Sequence, residues 1–403
     1  MTPETVHQLL DEVDYEFARK APPASHPNVP RIPAARYFDK DFFQLEQEAI
    51  RKCWVIVGTE HEFPASGSFK VVDRWGGAGV LVIRGDDRQI RAFYNTCQHR
   101  GAPVVREEQG SVEHLRCQFH SWTYNLEGEL VGIPGRRDFH NELSRECNAL
   151  RRVSCEVWRG FVFVTLDPNP VPLEEWLQPV TDEAIWFDGL RCAENSSLML
   201  NANWKIAIES NIEVYHVTTV HPTTVALGLD YRGSAETLYR RGHSRMVVPE
   251  RGYDSRAVRR EAERNPLDAL LTHSNVSYLL FPFHLTPSGI KWGGRFGLTL
   301  QTFWPVDVDK TLLEWFTMVP DWGDGEPPSG TTVRNQYFDQ IMEEDTQSVE
   351  PIQKSLQAGA FEGPLTSYHE RRIYHHEASV DRLIGVERVP EQLRVAQVLP
   401  TAD

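Results

Sequence analysis

Apolar residues change their spacing several times along this chain. Between positions 41 and 53, Phe42, Phe43, Leu45 and Ile50 recur at helical intervals, with Asp41 placed to start the helix. The pattern then turns to short β-type runs at 54–58, 69–75, 79–84 and 90–95, separated by turn signals at 64–67 and 85–87. Further strands are predicted at 123–126, 130–132 and 153–166, which together give a small antiparallel β domain over 47–165. A proline-rich stretch at 167–172 is the best domain boundary. Beyond it the reading is mixed: a helix from Asn203 to about Val220, strands through much of 238–319, a loop at 321–330 and a helix over 332–357. No internal repeat or low-complexity tract interrupts the chain.

Composition narrows the partners. The 403 residues carry 42 basic and 57 acidic side chains, a formal charge of −15, which repels nucleic acid and anionic membrane surfaces. The first 20 residues are rich in acids and lack the apolar core of a signal peptide, and every apolar run is strand-sized. The expectation is a soluble, cytoplasmic protein. Of the six cysteines, Cys53, Cys147, Cys155 and Cys192 have no His or Cys at ligand spacing and read as small buried residues. Cys97 and Cys117 differ.

Around them the chain reads Asn95-Thr-Cys-Gln-His-Arg-Gly and Arg116-Cys-Gln-Phe-His-Ser-Trp. Reduced to donors this is Cys97-x-His99, a gap of 17 residues, then Cys117-x-x-His120. Gly101 allows the first loop a sharp turn, and Pro103 stiffens its exit. If each loop gives its thiolate to one iron and its imidazole to the other, the product is a Rieske cluster held by two cysteines and two histidines. Its neutral imidazoles raise the reduction potential above that of an all-thiolate centre. A zinc site is the competing reading, but zinc ligands commonly run Cys-Cys then His-His, whereas each loop here offers one of each.

A second constellation lies on the predicted helix 203–220, where Glu209, Glu213 and His216 fall on one face. His221 precedes Pro222 and is pushed out of the helical region, to where the chain can turn back toward His216. Two imidazoles and one carboxylate would make a facial triad with open positions suited to Fe(II) and O2. Two histidines satisfied by backbone or carboxylates are the alternative. For the carboxylate the pattern offers Glu343, Glu344 and Asp345, against the competing reading of helix capping by Asp345 or a solvated acidic face.

With these motifs the sequence resembles the Rieske non-heme iron aromatic-ring-hydroxylating oxygenases, specifically their alpha (large, catalytic) subunits, from about Phe42 to Gly385. The resemblance implies an α+β chain: an N-terminal segment 1–46 packed on the catalytic domain, a Rieske 2Fe-2S domain over 47–165, and a START-like helix-grip domain over 166–403 with mononuclear iron. It implies Cys97, His99, Cys117 and His120 as cluster ligands. The pattern Asn203-Trp204-Lys205 … Tyr215-His216 … His221 implies His216 and His221 as iron ligands, and Asp345, eight residues before Gln353, as the third. Glu213 stands where most members carry Asp, in the role of electron bridge between a cluster histidine of one subunit and an iron histidine of the next. Some members acting on quaternary amines carry Glu there. Implied partners are a ferredoxin and a reductase drawing on NAD(P)H, a small organic substrate with O2, and a homotrimer with or without beta subunits. The implied reaction is hydroxylation of an aromatic substrate, with oxidative N- or O-demethylation as the alternative. A plain Rieske electron carrier or a zinc-stapled binding protein would need less chain or fewer paired donors. Arg136, Arg137, Arg145, Arg151, Arg152 and Arg159 lie close in sequence and suggest a docking face for an acidic donor. The aromatic-rich stretch 278–303 is expected to keep water from the pocket or to serve as core.

Overall fold

The computed structural model describes residues 1–75, 79–139, 143 and 147–402, apart from the side chain of Ile290. Two compact units result: Arg51–Trp176, and Met1–Ile50 joined by Leu177–Asp403.

The unit Arg51–Trp176 is built of strands β1 (Val55–Thr59), β2 (Ser68–Val72), β3 (Val80–Arg84), β4 (Ile90–Tyr94), β5 (Gln109–Ser111), β6 (Leu115–Arg116), β7 (Thr123–Tyr124), β8 (Leu130–Gly132), β9 (Arg152–Trp158) and β10 (Phe161–Thr165). Among the described residues seven of them pair antiparallel in the order β1-β10-β9-β4-β3-β2-β5, and β6-β7-β8 form a smaller sheet. Strands β3 and β10 are apolar at successive positions because both of their faces are buried. The run predicted as one strand over 153–166 folds back at Arg159 and Gly160, whose φ values of 49° and 81° suit a two-residue hairpin turn. Arg-Gly is a far weaker turn signal than Asn-Gly, so the break is hidden in the sequence. The Trp54 indole donates to the Val171 carbonyl at 2.8 Å, and the unit therefore runs past the proline-rich stretch to Trp176.

The other unit is organised by strands β11 (Leu190–Leu200), β12 (Ala235–Leu238), β13 (Ser244–Pro249), β14 (Ser274–Leu280), β15 (His284–Trp292), β16 (Arg295–Asp307) and β17 (Lys310–Pro320). They form an antiparallel sheet in the order β11-β17-β16-β15-β14-β13-β12. The helix Thr331–Gln357 packs on β11 and β17, with Phe338, Ile341, Met342, Asp345, Val349 and Gln353 on its buried face. This is the helix-grip arrangement of an α+β protein.

The helix predicted over 203–220 is two short helices, Trp204–Glu209 and Val217–Val220. The Glu213 side chain explains the break, since its Oε2 accepts from the backbone N–H groups of Tyr215 and His216 and competes with the helical ladder. Glu209 consequently leaves the face it was expected to share with Glu213 and His216. Its carboxyl meets the Tyr37 hydroxyl at 3.0 and 3.1 Å instead. The expectation of four small buried cysteines is also corrected. Cys53 is buried, but Cys147, in a turn, is exposed, and Cys155 and Cys192 are half-buried. Cys192 sits where β11 bulges.

Buried charges hold this unit together. Arg36 donates to Glu377 Oε2 and Asp381 Oδ1, each at 2.6 Å, and Lys205 pairs with Glu46 at 2.7 Å. Glu236 is the weakly satisfied member. Neither of its oxygens accepts a hydrogen bond, although Arg371 lies 3.4 Å away. Burial outweighs the pull of Arg371 and Arg372 and lifts its pKa to about 7. A raised acid favours the fold when protonated, so this contribution is full below about pH 4.5 and is lost as pH rises through 7. Glu236→Gln is expected to melt close to wild type at pH 5 and above it at pH 8. The gain should be on the order of 3 kcal/mol, and thermal melts at the two pH values check it. An equal gap at both would contradict the argument.

Candidate functional site: two metal-ligand constellations

In the β unit, two loops with one hydrogen-bond plan bring the first four donors together. The Cys97 N–H donates to the Ala102 carbonyl at 2.8 Å, and its carbonyl accepts from Gly101 at 2.9 Å. Cys117 repeats this with Trp122 and Ser121, both at 2.9 Å. The fourth residue after each cysteine, Gly101 or Ser121, takes a positive φ of 76° or 60°. No atom crowds a Cβ at Gly101, so its need is conformational. Both thiols are buried and both imidazoles lie outside them, with ring centroids 4.6 Å apart. Trp122 stacks on His99 at 4.8 Å.

Burial raises the Cys97 thiol pKa; a hydrogen bond at 3.3 Å with the Tyr124 hydroxyl opposes it, and neighbouring Cys117 adds to the rise. Burial, then His120 and Arg100, lower the pKa of His99. Its Nδ1 is buried without a hydrogen-bond partner. Two thiols and two imidazoles, one of them with an orphaned ring nitrogen, are the donor set that a sulfide-bridged iron pair takes up. The residue missed by sequence reasoning is Tyr124, whose hydroxyl also accepts from the Gln98 N–H at 3.0 Å. Its place on β7 gave no separate signal.

In the other unit, His216, His221 and Asp345 place one potential ligand atom each within 4.8 Å of the others. The His216 and His221 Nε2 atoms stand 3.3 and 2.8 Å from Asp345 Oδ1. Two ligands at right angles on a first-row divalent ion, with bonds of about 2.1 Å, sit about 3 Å apart. Both Nδ1 atoms are held from behind: His216 Nδ1–H donates to Glu213 Oε1, and His221 Nδ1–H to Glu344 Oε2 at 2.7 Å. Each Nε2 is thus left to face Asp345, the orientation that carboxylates impose on metal-binding histidines. Burial disfavours charge on His216, but Asp345 and Glu213 outweigh it and lift its pKa to about 10. His221 is raised by the same balance of burial against Asp345 and Glu344. Three carboxylates around two imidazoles make a pocket for a cation.

The register of the long helix puts Asp345 here. Gln353, on the same buried face, accepts from the Asn203 N–H at 2.8 Å and fixes the helix against the start of Trp204–Glu209. His221 ends Val217–Val220 outside helical geometry, at φ −115° and ψ 46°, as its position before Pro222 predicts. Glu344, weighed in the sequence only as a rival ligand, instead orients His221 and accepts from the Thr224 hydroxyl at 2.5 Å. A cavity of about 1100 Å³ opens over the triad, lined by Val214, Met246, Leu285, Phe338 and Met342 among others. From the aromatic stretch 278–303 only Trp292 and Phe296 line it; Tyr278, Phe281, Phe283 and Phe303 are core.

A family model for the Rieske [2Fe-2S] domain matches residues 53–146, and one for the ring hydroxylating alpha subunit catalytic domain matches 187–386. The chain belongs to the Rieske ring-hydroxylating oxygenase alpha subunits. As a member of that family it carries both metal cofactors, the 2Fe-2S cluster and the non-heme iron. The glycine betaine monooxygenase oxygenase subunit of Chromohalobacter salexigens is 33% identical over 203 residues, 50% of this chain and 45% of that one. The alpha subunit of 2-aminobenzenesulfonate 2,3-dioxygenase from Alcaligenes sp is 31% identical over 218 residues, covering 52% and 55%. The chain spans about half the length of the curated relatives it matches. Among solved structures, the quaternary ammonium Rieske monooxygenase CntA superposes with a TM-score of 0.74 at 21% identity, over 90% of this chain and 99% of that one. Naphthalene 1,2-dioxygenase from Rhodococcus sp. gives 0.72 at 21%, over 96% and 99%. These likenesses show the shared fold. No helix among the described residues is long and apolar enough to cross a membrane.

Proposed function

We propose that this alpha subunit oxidises a small organic substrate with O2 by monooxygenation at a carbon beside a heteroatom, as in N- or O-demethylation. The convergence of His216, His221 and Asp345 under a large cavity carries the reading. Monooxygenation over ring hydroxylation is supported by Glu213 in place of the usual Asp and by relatives that include a glycine betaine and a carnitine monooxygenase. Attack on an aromatic ring is the second reading, favoured by Trp292, Phe296 and Phe338 on the cavity wall.

In this proposal Cys97, His99, Cys117 and His120 hold the cluster, and His216, His221 and Asp345 hold the mononuclear iron. Bound there, the two centres would supply single electrons and a reductive activation of O2 beside the substrate. The chain's own part is orientation. Glu213 and Glu344 keep each imidazole proton on Nδ1, and the apolar walls exclude water. Glu213 is proposed as the bridge from His120 of a neighbouring copy, which calls for a ring of copies such as a homotrimer. A ferredoxin and a reductase would draw on NAD(P)H to supply the electrons. Exposed Arg136, Arg137, Arg151 and Arg152 are available to an acidic donor, whereas Arg145 lies outside the described residues. None of the six cysteines forms a disulfide among the described residues, which suits a reducing cytoplasm.

Purified protein is expected to show Rieske-type visible absorption and about three irons per chain. A colourless protein, or zinc in place of iron, would end the reading. Turnover of N-methyl, O-methyl and unsubstituted aromatic substrates with a generic ferredoxin and reductase separates demethylation, seen as formaldehyde, from diol formation.

A further inference from the structure

Among the described residues, one cation lining the cavity away from the triad has no ion-pair partner. Lys291 is neutralised by Asp268, and Glu250 is exposed with His273 at 3.9 Å. Arg334 has no such answer. Among the described residues its guanidinium makes no hydrogen bond or ion pair, and its contact is the Phe338 ring, 5.6 Å from centroid to Cζ. Burial lowers its pKa, with Tyr337 pulling the other way.

A second observation falls at the same place. Arg334 belongs to the first turn of the helix Thr331–Gln357, whose cap is Gly330 with φ 101° and no side chain bonded to the free N–H groups. Gly330, Val333 and Arg334 all line the cavity. The Thr331 N–H is taken by the Pro328 carbonyl at 3.2 Å and the Arg334 N–H by Gly330 at 2.9 Å, so the Thr332 and Val333 N–H groups and the positive end of a 27-residue helix stand beside a guanidinium already matched to carboxylate geometry.

Helix geometry sets the separation from the reacting end. Arg334 and Asp345 share the cavity face eleven residues apart, about 16 Å along the axis at 1.5 Å per residue. The guanidinium packs toward Phe338, whose backbone is about 10 Å from Asp345 on the same scale. Ile341 and Met342 fill the interval on this helix, and Val217 and Leu285 face the same space.

Resting on the oxygenase reading above, we propose that the substrate is an amphiphilic anion. Its carboxylate or sulfonate is held by Arg334 and the first turn of Thr331–Gln357. An apolar segment separates that group from the oxidised carbon by on the order of 10 Å. Arg334 is thereby a specificity-determining residue, remote from the reacting atoms.

The test is equilibrium binding by calorimetry to iron-loaded protein without reductant, using acetate, phenylacetate, 4-phenylbutanoate and 4-phenylbutanamide as probes. Wild type should bind 4-phenylbutanoate about tenfold or more tightly than the amide, and more tightly than either shorter acid. Arg334→Gln should erase the carboxylate preference and leave amide binding unchanged. Arg334→Lys, which keeps charge without the planar fork, should keep part of it. Absence of a carboxylate preference in wild type, or its survival in Arg334→Gln, would overturn the proposal, as would equal preference for acetate. If Arg334→Gln does not fold, the wild-type comparison and Arg334→Lys decide alone. Iron content and visible absorption of the same samples keep the two readings apart: their loss defeats the oxygenase, whereas loss of carboxylate preference defeats only this inference.

Discussion

Asp345→Ala is expected to lower turnover by on the order of a thousandfold or more while leaving the Rieske-type absorption unchanged. Asp345 Oδ1 is the atom that both Nε2 nitrogens face, so its removal takes away the one carboxylate common to the two imidazoles. Iron should fall from about three to about two per chain, because the four donors of the β unit lie in separate loops from Asp345. Glu344→Gln is the graded control. On His221 it touches the Nδ1 side alone, and loss of such a supporting contact costs about 10- to 100-fold in affinity or activity. Iron analysis, the visible spectrum and single-turnover product yield check both variants. Full iron occupancy in Asp345→Ala would remove Asp345 from the ligand set.

The contrast between Asp345 and Glu344 shows what a sequence can and cannot disclose. Cys97, His99, Cys117 and His120 are legible because each pair lies in one tight loop, where spacing alone fixes which donors meet. His216 and His221 are legible for the same reason, helped by the backbone restriction that Pro222 imposes. Asp345 and Glu344 are adjacent acids on one helix, and local pattern does not say which faces the imidazole nitrogens. That choice is made by helix register, set through the Gln353–Asn203 hydrogen bond between residues 150 apart in the chain. The same limit explains Glu209. Helical periodicity placed it beside Glu213, but side-chain bonds from Glu213 to the backbone end the helix and send Glu209 to Tyr37. The β architecture was read well because alternation and buried apolar runs report local burial. The hairpin at Arg159-Gly160 escaped because its turn residues carry little signal of their own. Arg334 could not be found from sequence at all, since its lack of a partner is a property of the folded cavity.

Glu213→Gln is the second large effect. The carboxylate serves two directions at once: Oε1 accepts from His216 Nδ1–H, and Oε2 accepts from the Tyr215 and His216 backbone N–H groups. An amide has one acceptor oxygen, so its NH2 group must turn toward a donor on one side. The mismatch costs about 1–3 kcal/mol as an unsatisfied buried contact. Loss of the negative charge also lowers the His216 pKa from about 10, because Glu213 is one of the two carboxylates that raise it. A purely orienting role predicts a 10- to 100-fold fall in turnover accompanied by weaker iron binding. A bridging role predicts something different: both metals stay loaded, substrate binding is kept, and reoxidation of the pre-reduced cluster by O2 and substrate slows by about a hundredfold or more. Glu213→Asp, which restores charge on a shorter arm, should recover much of the reoxidation rate. Stopped-flow spectra of the reduced cluster, with iron counted in the same samples, distinguish the two roles. Full turnover in Glu213→Gln with both centres occupied would mean that the electron path lies elsewhere.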